Sequence, residues 1–313
     1  MAVSSQAQEF LDIVAGGPPL DTQTVAQNRA DLAQAMPLTG EPTPVAEVRD
    51  TTMAGSAGDI PVRVYVPATQ HSGPRPAVVY LHGGGWVLGD LELFDTTCRD
   101  LAVHAEAVVI SVDHRLAPEH PFSAAVHDAL AVLTAVLDGT ADLGIEIDAE
   151  RVAVAGDSAG GNLAAVSAQQ LRGHTPALRH QVLIYPVTDA RVGRTPSYAE
   201  FGRDHFLSER DMRYFVDQYA SGVDVADPLL SPAACPDLTG LSPATVVTAE
   251  CDPLRDEGEA YAAALNDAGV ATVLRRFEGQ VHPFVALGGV LPDALVARRL
   301  IGERLHAALH PPA

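Results

Sequence analysis

Lysine is absent from this chain; arginine supplies all 20 basic side chains. That absence removes a Schiff-base or pyridoxal-phosphate lysine, a Ser-Lys dyad and a phosphate-loop lysine from the chemistry open to it. Cysteine is nearly absent too: Cys98, Cys235 and Cys251 form an odd set with no C-x-x-C spacing. Such a set argues against a disulfide framework or zinc knuckle and predicts reduced thiols. No apolar run approaches the roughly 18 residues of a membrane span, and the first residues, Met1-Ala2-Val3-Ser4-Ser5-Gln6, lack the basic-then-apolar pattern of a secretory signal. The expectation is a cytoplasmic protein with no stable membrane insertion. A net charge of -20 with no opposing basic run repels phosphate backbones and anionic headgroups, which argues against nucleic acid as a partner.

What is present fits a large α/β unit. The 313 residues, 47% hydrophobic and 19% charged, are compatible with one domain carrying insertions. The first 45 or so predict two short helical segments broken by Gly16-Gly17-Pro18-Pro19, the second over 22–36. Short β-branched runs follow at 60–66, 77–81, 107–112, 152–155, 181–185, 244–248 and 271–277, and 45–52 pairs with 60–66 as an entry hairpin around residues 55–58. Helical patterns lie between them at 94–105, 123–137, 160–171, 208–219, 256–268 and 292–309. This alternation predicts a mainly parallel sheet covered on both faces, with chemistry at the carboxyl ends of its strands. Residues 188–232 interrupt the alternation with loops and a helix carrying Tyr214, Phe215 and Tyr219, and are read as a lid.

The strand at 152–155 runs into Gly156-Asp157-Ser158-Ala159-Gly160-Gly161 and then into a helix, the context that a G-x-S-x-G nucleophile turn requires. A phosphate loop shares part of the spacing, but its lysine and hydroxyl positions hold Asn162 and Leu163. A serine hydroxyl needs a base. His282 follows the strand at 271–277 and the loop 278–281, whereas His82 and His120 precede the serine, against the Ser, acid, His order of this turn. The acid that orients the imidazole is expected at Asp252, after the strand at 244–248, with Glu250 and Asp256 as competitors. His82-Gly83-Gly84-Gly85-Trp86 directly follows the strand at 77–81, and its bare backbone can aim N–H groups at a developing oxyanion. A dinucleotide loop there would need glycine where Leu88 stands.

Those motifs, with Asp113-His114-Arg115-Leu116-Ala117-Pro118-Glu119-His120-Pro121-Phe122, Asp252-Pro253-Leu254-Arg255-Asp256-Glu257-Gly258 and His282-Pro283-Phe284, resemble the bacterial hormone-sensitive-lipase-like carboxylesterases over about residues 75–290. The resemblance implies an α/β-hydrolase fold with a mostly parallel eight-stranded sheet over residues 46–313. Residues 1–45 would form a helical cap, with a contribution from 187–230. It implies Ser158 as nucleophile, Asp252 and His282 as its partners, and the N–H groups of Gly83, Gly84 and Ala159 as an oxyanion hole. Trp86, Phe206 and Tyr214 would line the cleft, with core packing as the competing role for the last two. Hydrolysis of short to medium acyl esters is implied, without metal or cofactor. The same groups could serve an amidase or drug deacylase; a non-catalytic hydrolase-like receptor would lack His282. A homodimer through the last strand and final helix is compatible with the resemblance. Two departures stand out: His114 where the family more often has tyrosine, and Pro283 where it often has glycine.

Overall fold

In the computed structural model, which describes residues 3–70 and 72–311, the alternation of runs and helical stretches closes into one eight-stranded sheet. Two helices come first, α1 (Ser5–Val14) and α2 (Val25–Ala33). Next come β1 (Glu47–Gly55), β2 (Gly58–Val66), β3 (Arg75–Leu81), α3 (Asp95–Ala105), β4 (Val108–Val112), α4 (Ala124–Leu137) and β5 (Ile147–Asp157). The second half holds α5 (Ala159–Gln170), β6 (His180–Ile184), α6 (Pro196–Phe201), α7 (Glu209–Ala220), β7 (Ala244–Cys251), α8 (Arg255–Asp267), β8 (Thr272–Val281) and α9 (Pro292–Leu309). The spatial order is β1-β2-β4-β3-β5-β6-β7-β8. β2 pairs antiparallel with both β1 and β4, and every later pairing is parallel.

Central strands read as unbroken apolar runs because helices cover both faces. β4, β6 and β7 are buried along their whole length. The period of two sorts their side chains. Val79, Leu81, Val152 and Val154 join a core that includes Leu133, Leu163 and Leu265, whereas Val78, Tyr80, Ala153 and Ala155 join one that includes Leu101, Ile301 and Leu305.

Ser4 caps α1, its side chain accepting from Ala7 N, and its N–H donates to Gly279 O at 2.9 Å. Thr24 and Gln27 form a capping box for α2, a device worth about 1 kcal/mol. That helix is shorter than the 22–36 expected, because single 3-10 turns at Leu20–Thr22 and Met36–Thr39 flank it. α7 carries a second capping box, Ser208 with Asp211, and buries Met212, Tyr214, Phe215, Val216 and Tyr219. β7 and β8 run three and four residues past their sequence-read ends, to Cys251 and Val281, so residues 278–281 belong to a strand and not to a loop. Among the described residues no helix is long and apolar enough to cross a membrane.

Candidate active site

β5 stops at Asp157, and Ser158 turns the chain with φ 55° and ψ -118° before α5 begins. A non-glycine residue in this region is strained and has to be held there by its surroundings. Ser158 N donates to Ile184 O at 2.8 Å, and Ser158 O accepts from Asn162 N at 3.0 Å. Glycine flanks the turn for want of space: a Cβ on Gly156 would strike the Gly160 carbonyl, and one on Gly160 the Leu81 carbonyl.

With the strands extended, Asp252 and His282 are each the first residue past a strand, β7 and β8. The neighbouring parallel strands therefore deliver both side chains to the end of the sheet where Ser158 stands. His282 Nε2 lies 3.0 Å from Ser158 Oγ, and His282 Nδ1 lies 2.8 Å from Asp252 Oδ2. A carboxylate only accepts, so Nδ1 carries the proton and Nε2 is free to accept from the serine hydroxyl. Asp252 is fully buried, and its other oxygen accepts from Leu254 N at 2.9 Å. Tyr185, itself at φ 32°, sets its ring 4.5 Å from that of His282.

The competing residues are engaged elsewhere. Glu250 accepts from Gly279 N at 2.6 Å, and Asp256 accepts from Ser197 N and Arg255 Nε, each at 2.8 Å. His82 is buried and stacks on His114 with centroids 4.2 Å apart; burial pushes the two imidazoles down to about 4 and about 3. His120 is exposed. Among the described residues, no group of three or more His, Cys, Asp or Glu side chains could hold a metal ion.

The glycine loop requires a correction. Gly83, expected to donate to an oxyanion, donates to Asp157 Oδ1 at 2.9 Å. Its N–H is taken up by the same oxygen of Asp157, fully buried at the end of β5, that accepts from Tyr80 Oη at 2.8 Å. Burial nonetheless pushes that carboxyl up to about 6. Among the described residues, the N–H groups of Gly84, Gly85 and Ala159 have no hydrogen-bond partner; Ala159 is the first residue of α5, where an N–H has none within the helix. Gly84 and Gly85 have φ of 115° and 61°, and a Cβ would run into the Leu88 carbonyl at the first and the Phe215 ring at the second.

Trp86 also departs from expectation. It is fully buried, with its ring flat on Tyr219 at 4.7 Å and 7°, so it packs the core under the loop and presents no surface to a cleft. Phe206 is 43% exposed at φ 74° and rests on Phe10, centroids 5.3 Å apart. Tyr214 is buried, and its hydroxyl accepts from Asn28 Nδ2 at 3.1 Å. Both aromatics thus join the 187–230 region to the N-terminal helices.

Sequence reasoning missed Asp157, Tyr185 and Glu257 as parts of this neighbourhood. Glu257, on α8, accepts from Thr188 N at 2.8 Å and Asp189 N at 3.3 Å, and burial pushes its carboxyl up to about 8. An acid closing an otherwise apolar strand was the available signal for Asp157. Glu257 stands inside the 252–258 motif, which was the signal for it, whereas nothing local marks Tyr185.

Sheet order, the strained turn after β5 and a serine, carboxylate and imidazole at the ends of β5, β7 and β8 define an α/β-hydrolase. Residues 78–286 match the family described as having the alpha/beta hydrolase fold, and the chain belongs to that family, in its hormone-sensitive-lipase-like group. It is 45% identical to carboxylic ester hydrolase LipN of Mycobacterium tuberculosis (strain ATCC 25618 / H37Rv) over 267 residues, covering 82% of this chain and 68% of that protein. It is 41% identical to ethyl acetate hydrolase of Pseudomonas putida over 273 residues, covering 86% and 84%. Among solved structures, an ester hydrolase from the Lake Arreo metagenome, complexed with a derivative of bipyridine phosphonate, superposes with a TM-score of 0.92 at 39% identity, covering 97% of this chain and 98% of that one. A thermostable esterase from Pseudomonas putida ECU1011 gives 0.93 at 36% identity, covering 99% of each.

Proposed function

We propose that this chain is a serine carboxylesterase that hydrolyses short to medium acyl esters through an acyl-enzyme on Ser158. Carboxylic ester hydrolase is the enzyme class of the relatives named above, and the name of the Pseudomonas putida ethyl acetate hydrolase points to small acyl groups. The observation that carries the reading is the unbroken chain of contacts from Asp252 through His282 to Ser158 beside three unspent backbone donors.

Ser158 Oγ attacks the ester carbonyl carbon while His282 Nε2 takes its proton. The imidazolium that forms is stabilised by the buried Asp252 carboxylate 2.8 Å from Nδ1. Negative charge gathers on the former carbonyl oxygen, and the Gly84, Gly85 and Ala159 amides receive it; one such donor is commonly worth about 3–4 kcal/mol of barrier. Collapse of the tetrahedral adduct breaks the bond to the alkoxy oxygen, which takes the proton from His282 and leaves as the alcohol. Water then repeats the sequence, attacking the acyl-enzyme with His282 as base and releasing the carboxylic acid. Residues 3–45, the described part of the expected 1–45 cap, roof the site together with 187–230, the two parts being joined by the Phe10–Phe206 and Asn28–Tyr214 contacts.

The test is turnover of p-nitrophenyl esters of increasing chain length, with covalent labelling by an organophosphate. Loss of both turnover and label in Ser158→Ala, with rates falling beyond medium chains, is the expected result. Turnover surviving in that variant would overturn the mechanism. Matched amides should react far more slowly than the esters.

A further inference from the structure

His282 lies at the head of a segment that the sheet does not hold. β8 ends at Val281, and the backbone bonds of the next turn are internal: Ala286 N to Pro283 O and Leu287 N to Phe284 O, both 3.0 Å. Among the described residues, no backbone-to-backbone bond joins residues 283–286 to the sheet, and Pro283 has no N–H to offer. On one side the segment leans on aromatic rings, Phe284 against Tyr185 and Phe277. On the other it is gripped by a buried guanidinium. Arg298, on α9 and 1% exposed, donates from Nε to Val285 O at 2.8 Å and from Nη2 to Ala286 O at 2.9 Å. Its remaining arm donates from Nη1 to Asp100 Oδ2 on α3 at 3.0 Å.

A buried ion pair is poor evidence of stabilisation, since removing two charges from water offsets most of their attraction. A rigid planar fork that grips two successive carbonyls does something an apolar pair cannot: it fixes where the turn sits. The surroundings are shaped to that end. A Cβ on Gly288 would come within 2.9 Å of Arg298 Nη1, and Thr43 Oγ1 donates to the second Asp100 oxygen at 2.5 Å. We infer that Arg298 is a positioning residue for the catalytic histidine, holding the turn after His282 so that Nε2 stays in line with Ser158 Oγ.

This rests on the proposed Ser158 mechanism, so the experiment reports on each separately. Active serines are titrated with an organophosphate in the full-length protein, and turnover per titrated serine, KM and the pH dependence of kcat/KM are measured. Arg298→Lys keeps a cation for Asp100 and loses the fork. Turnover per titrated serine should fall roughly 10- to 100-fold, the scale of a misplacement of about 1 Å, with KM within about twofold and the acid limb of the pH profile displaced. Asp100→Asn keeps the carbonyl grip and should lower the melting temperature while leaving turnover per titrated serine within about twofold. If Arg298→Lys does not fold, the apolar pair Arg298→Met with Asp100→Leu, which leaves no buried charge unpaired, should show the same loss. Unchanged turnover per titrated serine in whichever Arg298 variant folds, or an equal loss in Asp100→Asn, overturns the positioning role. A wild-type protein with no titratable serine would instead sink the mechanism beneath it.

Discussion

Replacing Glu257 with glutamine isolates the cost of one buried acid. The carboxyl sits against the loop after β6, accepting from two backbone N–H groups, and burial raises it from 4.5 to about 8, with the Asp189 and Asp252 charges pushing the same way. In the unfolded chain it ionises near 4.5; in the fold it stays protonated until about 8. The native state therefore binds the extra proton between those values, and folding stability falls as pH rises through the window. At about 1.4 kcal/mol per pH unit, the interval from 4.5 to about 8 sets an upper bound of roughly 5 kcal/mol, present below pH 4.5 and lost above pH 8. Glutamine matches the protonated acid in shape, keeps an oxygen for the two N–H groups and never ionises. Urea unfolding at pH 5, 7 and 9 should show Glu257→Gln close to wild type at pH 5 and progressively more stable toward pH 9. All other titrating groups are common to the two proteins, so their difference reports this one. A constant offset from pH 5 to 9 would refute the reasoning.

Two further outcomes follow from the site. Asp252→Asn should lower kcat about 10³- to 10⁴-fold on a short p-nitrophenyl ester with little change in KM, because the amide no longer holds the imidazole with its proton on Nδ1 or stabilises its charged form. Asp157→Leu strands the Gly83 N–H and the Tyr80 hydroxyl without an acceptor and should cost about 2–5 kcal/mol in thermal unfolding as well as turnover. Asp157→Asn, which keeps one accepting oxygen, should stay close to wild type in both.

Much of this was legible in the sequence where local pattern and physical demand coincide. The runs that became β3, β4, β6 and β7 are apolar because both faces are covered, and α9 was read to the residue because proline opens it. Ser158 announced itself through glycines that the crowding at Gly156 and Gly160 demands. Other features depend on where a group points. Three glycines in a row reveal that the backbone approaches something, but which amides remain unspent depends on Asp157, 74 residues away. Trp86 shares its neighbourhood with the loop glycines, yet its ring direction is decided by Tyr219. Asp252 was the expected acid from its chain position, and what the sequence did not show is that β7 continues to Cys251, which makes its competitor Glu250 a strand residue serving Gly279. α6 has only six residues, too short for its periodicity to be heard.

Asp157 and Ser158 are consecutive. One side chain turns under the glycine loop and takes the Gly83 N–H; the next turns out toward His282. The glycine loop is thus tied by a 2.9 Å hydrogen bond to the residue that stands one peptide unit, about 3.8 Å from Cα to Cα, before Ser158. In the proposed mechanism that one bond couples the loop after β3 to the turn after β5 across 74 residues of chain, so that the nucleophile and the amides facing the carbonyl shift together.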